Sequence, residues 1–447
     1  MLPTLENNNN TTIFDNNNNN NNINDNDNND HKNHFLNSTC WNTYQAIQYR
    51  SLYGRRLFGR KIHVSGKSLL QQFQCNKEQI FYFYFPDLKS CTPFACDYAN
   101  STSHGNLLAV SDEEGRVSII RTDKSNKALD GEYHTTFYCH SNTVVDVKWS
   151  KDDTMLLTSG ADYKVRIMDV ETQFCLATFM GHRAILRSSN WHPTDPHLFV
   201  SACKDGSFQL WDTRSRQIAI STEENYKEGE QIDGVDLTEY PIYGPVKVVN
   251  DAHVEPNSKF KKQRSSYKIT ADRTVTCALF HPKEEEKIIS SGSFDGSIKL
   301  WDCRTGRTPS PVQMTTFQKD GRRRGISDMK LDRNGTRLFS LCMDNSIYMH
   351  NILDLSKPVK KYTDPNYDAS LFTIKLSISH DDQFLLAGSS NNNIYAWEVE
   401  GNRQEAHVFK GHTNSVSGVV WHKSSNNEFS SCSDDFKVRI WKKELLS

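Results

Sequence analysis

The residues best suited to chemistry are arginines and aspartates at fixed spacing. "WDTR" (211–214) and "WDCR" (301–304) each end a short run with Asp, any residue, Arg. A guanidinium offers a planar fork of donors, so Asp212–Arg214 and Asp302–Arg304 can close on themselves or clasp a partner. Histidines form the second set. His140, His182 and His412 lie 22, 23 and 23 residues before Asp162, Asp205 and Asp435. A His–Asp pair serves proton transfer when a nucleophile stands beside it. No GxSxG, HExxH, GxGxxG or GxxxxGK[ST] accompanies these pairs. The acid pairs Asp381-Asp382 and Asp434-Asp435 sit among turn residues, so no catalytic residue is expected. The 11 cysteines are scattered without a CxxC pair. Free buried thiols, no metal and no cofactor are therefore expected.

The elements that hold these residues repeat. Asp205, Asp295 and Asp435 each precede a tryptophan, Trp211, Trp301 and Trp441, by six positions. The same frame fits Asp162 to Met168, Asp344 to His350, Asn391 to Trp397 and Glu114 to Ile120. Each unit reads as a tight turn and then a half-buried strand with period-two alternation. This is the pattern of WD repeats, the four-stranded blades of a β-propeller. The expected fold is all-β, a seven-bladed propeller over about 60–442. Within a blade the His, the turn Asp, a Ser or Thr and the Trp can hydrogen-bond, which lets polar groups be buried. The histidines are read as structural.

Two features need separate accounts. The turns at 205 and 295 are 90 residues apart, against 43 to 49 elsewhere. Residues 216–270 are polar, so they read as insertions in one blade on both sides of His253. After Trp441 only "KKELLS" remains, too short for an outer strand. An open edge is a liability, and "SLLQQFQC" (68–75) is expected to fill it.

Ahead of the propeller, residues 1–34 are rich in Asn and read as disordered. Residues 38–56 read as a short amphipathic helix with Trp41, Tyr44 and Ile47 on one stripe. The 53 Lys+Arg balance 54 Asp+Glu, which gives no global attraction to nucleic acid or an anionic membrane. No apolar run approaches the ~18 residues of a spanning helix, and "MLPTLENNNN" lacks the regions of a signal peptide. A nuclear or cytoplasmic protein is expected. The basic clusters "GRRLFGRK" (54–61) and "KFKKQR" (259–264) read as nuclear-entry signals.

Strand direction puts Arg214 and Arg304 on one rim. The turn Asp starts the third strand on the Gly-His side, and nine residues at ~3.3 Å each carry the chain to the opposite side.

The chain resembles the denticleless family of propellers. The similarity is carried by "LLAVSDEEGRVSII" (107–120), "LFSLCMDNSIYMHN" (338–351), "SHDDQFLLAGSSNNNIYAW" (379–397), "SSCSDDFKVRIW" (430–441) and the two Trp-Asp-x-Arg endings around a polar insertion. The resemblance implies a non-catalytic substrate receptor of a cullin-4-type ubiquitin ligase. It implies that Asp212, Arg214, Asp302 and Arg304 meet the damaged-DNA-binding adaptor. Trp41, Tyr44 and Ile47 are expected to enter a groove on that adaptor. The substrates implied are replication proteins, including a licensing factor, carrying a degron on the DNA-bound sliding clamp. Loop residues Arg183, Phe372 and Asn414 are the candidates for reading substrate on the opposite rim. The second reading is a scaffold of histone-binding or chromatin complexes.

Overall fold

A computed structural model describes residues 56–57, 60–61, 69–84, 90–101, 106–126, 134–215, 231–232, 235–236, 241–254, 273–304, 310–315, 325–401 and 405–444. Two compact units divide the chain. One comprises Met1–Val64 with Leu446–Ser447, and the other Ser65–Leu445. In the first, Arg56–Leu57 pairs with Arg60–Lys61 as a short antiparallel ladder. The helix expected over 38–56 lies outside the described residues, apart from Arg56.

The second unit is a seven-bladed propeller. Blade 1 orders the strands Pro93–Tyr98, Leu107–Asp112, Arg116–Arg121 and His134–Tyr138 from the axis outward. The six innermost strands that follow are Val144–Trp149, Leu186–Trp191, Val275–Phe280, Ile326–Leu331, Leu376–Ile378 and Val416–Trp421. Apolar residues on both faces of the middle strands pack between blades. Phe199, Phe208, Phe339 and Phe429 are fully buried there. The half-buried alternation expected of the strands after the turns is corrected, because packing between blades buries both of their faces.

Buried polar groups built on a histidine and an aspartate hold four of the blades. His182 Nδ1 lies 3.4 Å from Asp205, its Nε2 meets Ser201 Oγ at 2.7 Å, and the Trp211 indole donates to the same hydroxyl at 2.8 Å. His253, Asp295, Ser290 and Trp301 repeat this arrangement, as do His412, Asp435, Ser431 and Trp441. In blade 2, His140 joins Asp162 and Thr158. Met168 stands at its Trp site, and Arg166 adds a 2.8 Å bond to Asp162. The inner strands are also clamped to one another. Asp97 accepts the Trp149 N–H, Asp146 that of Ser189, Asp328 that of Leu376, and Ser377 that of Trp421.

The ring closes with N-terminal chain, in a divided form. Phe73–Gln74 pairs with Lys442 and Lys443, and Ile80–Tyr82 pairs with Lys437–Arg439. The expectation that 68–75 fills the open edge holds through Phe73–Gln74, and a second segment, Ile80–Tyr82, shares the task. Asn76 and Gln79 form a capping box around the 3-10 turn Lys77–Gln79, which breaks the strand in two. Leu70 and Phe73 are drawn instead into the core of blades 6 and 7. Polar contacts seal the same seam. Tyr98 donates to Glu428 at 2.8 Å, and Lys423 meets Asp97 at 2.6 Å.

The polar stretch 216–270 is corrected as well, because part of it is propeller. Lys247–Val249 is the outer strand of blade 3, and Ile242–Tyr243 adds a parallel fifth strand to blade 2. His253 follows directly, in the place its blade requires.

Candidate functional site

The spacing Asp-x-Arg has a local cause. The Asp212 carboxylate accepts the backbone N–H of Arg214 at 2.8 Å, which turns the chain after the strand. That turn brings the guanidinium back, and Nε and Nη2 bond the two oxygens of Asp212 at 2.8 and 2.9 Å. Arg304 repeats this on Asp302 at 3.0, 3.1 and 2.7 Å. The Asp302 carboxyl is held down at about 2 by the side chain and backbone of Arg304. Arg214 holds the Asp212 carboxyl low in the same way.

Each fork has a second acid. Arg214 Nη2 meets Asp195 at 2.9 Å, and Arg304 Nε meets Glu286 at 2.8 Å. Asp195 and Glu286 belong to the loops that join the first and second strands of blades 3 and 4. Those loops touch, because the Thr194 hydroxyl donates to Glu285 at 2.6 Å. Lys247, on the outer strand of blade 3, donates to the carbonyl of Cys303. The two arginines therefore stand on one rim, joined through a continuous set of polar contacts.

They also remain available. The Arg214 and Arg304 side chains are 51% and 57% exposed. Nη1 of each makes no bond among the described residues, so two N–H groups per arginine face no acceptor there. Such a guanidinium is already oriented and loses little rotamer freedom on meeting a carboxylate or carbonyl.

The other expected residues are dispersed. Trp41, Tyr44, Ile47 and "KFKKQR" lie outside the described residues, and of "GRRLFGRK" only the backbone ladder is described. Arg183 is exposed on the His-bearing rim, where its backbone N–H bonds Asp205 at 3.0 Å. Asn414 spends its side chain within its blade, accepting from the Ser415 N–H and donating to the Asp434 carbonyl of the facing turn. Phe372 lies at the narrow end of the axis, with Phe94 and Arg187. His182, Cys203 and Asp205 bring ligand-type atoms within 4.8 Å of one another. Both His182 nitrogens are engaged within the blade, and burial pushes the Cys203 thiol far up, where metal binding needs thiolate.

Asp195, Glu286, Thr194 and Lys247 were not singled out from sequence. A signal existed for three of them. "HPTD" (192–195) and "HPKEEE" (281–286) share a His-Pro start and an acid end. His192 Nδ1 accepts the Asp195 N–H, and His281 Nδ1 that of Glu284, at 3.0 Å each, which shapes both loops alike.

Comparison with known proteins agrees with this architecture. The family "WD domain, G-beta repeat" matches residues 131–169, 173–212, 262–302 and 403–442. The chain is 33% identical over 386 residues to the denticleless protein homolog of Danio rerio, covering 84% of this chain and 55% of that protein. It is 30% identical to the human denticleless protein homolog, covering 84% and 50%. The protein lethal(2)denticleless of Drosophila melanogaster is 28% identical, with 80% and 46% covered. The chain thus spans about half the length of the curated relatives it matches.

Proposed function

Because the chain belongs to the denticleless family of WD-repeat proteins, we propose that it is the substrate-recognition subunit of a cullin-4-type ubiquitin ligase. It docks on the damaged-DNA-binding adaptor and presents replication and cell-cycle proteins, including a licensing factor, for ubiquitination. The propeller supplies surfaces rather than chemistry, and the work is done in the nucleus. Trp41, Tyr44 and Ile47 add a helical anchor to the adaptor, and substrate approaches the rim that bears the histidines.

One observation carries this reading: two Asp-x-Arg turns in adjacent blades, on one rim, each with Nη1 unbonded among the described residues. Similarity to proteins named denticleless gives independent support. The test is capture of the purified adaptor by the full chain. Nanomolar to micromolar binding that depends on Arg214 and Arg304 is expected. Capture of histones with no binding to the adaptor would favour the chromatin-scaffold reading instead.

A further inference from the structure

The propeller axis holds a chamber of about 720 Å³. Asn100, Arg333, Asp382 and Ser424, from loops between first and second strands, line its mouth. It therefore opens on the rim of Arg214 and Arg304. Its walls carry five cations against three carboxylates.

Two of the cations are neutralised. Lys148 meets Asp146 at 2.7 Å, and Lys423 meets Asp97 at 2.6 Å. Lys330 is paired more loosely, and Arg333 and Lys375 meet no carboxylate among the described residues. Lys330 stands 3.6 Å from Asp328. Among the described residues the Arg333 guanidinium donates to His380 alone, at 3.1 Å, while Asp382 takes its backbone N–H. Among the described residues the Lys375 ammonium makes one hydrogen bond, at 3.5 Å to the carbonyl of Arg187. Beyond Lys375 the axis narrows, and Arg187 lines the constriction with no hydrogen bond to its Nε. The excess charge is felt inside. Burial alone would raise the Asp146 carboxyl, yet Lys148, Lys375 and Lys330 hold it below its usual value.

We propose that the axial chamber binds a phosphate-class oxyanion with more than one negative charge, held by Lys330, Arg333 and Lys375. Cations approach the void from blade 5 and from blade 6, with Arg187 of blade 3 beyond. A tetrahedral phosphate offers acceptors in several directions, whereas a planar carboxylate serves one fork. The volume exceeds that of a single phosphate, so an oligophosphate or a compound bearing several phosphates suits it best. The inference goes beyond the receptor reading and does not rest on it.

The test uses the full chain without partners, with tripolyphosphate as the probe and sodium chloride of equal ionic strength as the reference. Calorimetry should show saturable binding, and the thermal midpoint should rise in parallel. Lys375→Gln and Arg333→Gln should each weaken the probe's Kd about tenfold and leave the melt without probe unchanged. Lys330→Gln gives the same readout should either of these misfold. Arg214→Ala/Arg304→Ala should bind the probe normally. Binding no stronger than the salt reference would overturn the proposal. So would wild-type affinity in the folded Lys and Arg variants, or a hexaglutamate peptide that binds as tightly as tripolyphosphate.

Discussion

At the scale of single residues, Arg214 and Arg304 look paired but are solvent-facing. Exposed ion pairs contribute little to stability, so Arg214→Ala/Arg304→Ala should leave the melting temperature unchanged. In the proposed complex each arginine gives the adaptor a charged hydrogen bond, so the same double variant should bind it about a hundredfold or more weakly. Surface plasmon resonance and a thermal melt on one preparation check both halves. A lowered melt with adaptor affinity retained would mean that these side chains serve the blades. The buried histidines behave differently. Burial lowers the imidazole pKa of His140, His253 and His412, against the pull of their aspartates. The unfolded chain takes up these protons first, so their stabilisation is full above about pH 6.5 and declines as the pH falls below it. The carboxyl of Asp295 is held at about 2. Its share is full above about pH 4 and declines as the pH falls toward 2. His350, at the Trp site of blade 5, has burial alone acting on it, with a pKa lowered to about 4 and an unpartnered Nδ1. His350→Leu should therefore recover about 2 kcal/mol at pH 5 relative to pH 7. Urea titrations at the two pH values measure that difference.

At the scale of elements, the divided closing segment makes a distinct prediction. Phe73 packs edge-on to Trp421 with ring centroids 5.5 Å apart and is nearly buried. Phe73→Ala should cost about 3–5 kcal/mol, as a large aromatic truncation in a core does. A chain that starts at Ser65 should melt like the full chain, while one that starts at residue 85 should aggregate. Size-exclusion chromatography and differential scanning calorimetry of the two truncations decide this. The blades themselves were legible because Asp205, Asp295 and Asp435 fix the phase of Trp211, Trp301 and Trp441. The outer strand of blade 3 was not. Lys247–Val249 has three residues, and its register is set by partners in Phe208–Leu210 that local pattern does not name. The break at Lys77–Gln79 was hidden for a related reason, since Asn76 and Gln79 look like ordinary polar residues until they bond each other's backbone. At the site, the Asp-x-Arg turns were readable because the bonding is local. Asp195 and Glu286 were signalled only by the His-Pro start their two loops share, and the chamber cations not at all, since only the ring brings residues from different blades together.

At the scale of the molecule, the two rims divide the work in the proposed function. With the adaptor on the Arg214/Arg304 rim, the His-bearing rim is left for substrate. Phe372 there is partly exposed and lines the narrow end of the axis with Phe94 and Arg187. Arg183 is exposed on the same side. Arg183→Ala/Phe372→Ala should reduce capture of the licensing factor roughly tenfold, as the loss of one aromatic anchor does, with adaptor binding unchanged. Pull-down of both proteins by one tagged variant measures the ratio. Equal capture of substrate would remove these two loops from the reading surface.

The seam has a consequence for synthesis. Phe73 pairs with Lys443, so the residues that join the ring are some 370 positions apart. At roughly 5–20 residues per second, Phe73 leaves the ribosome about 20–70 seconds before its partner exists. Six blades can stack in that interval, but the first and the last present open strand edges and bare apolar faces throughout. The nascent protein therefore spends most of its manufacture as an unclosed arc, and any slowing of translation lengthens its exposure to misassociation. Demand for a holding chaperone should scale with elongation time, not with the stability of the finished ring.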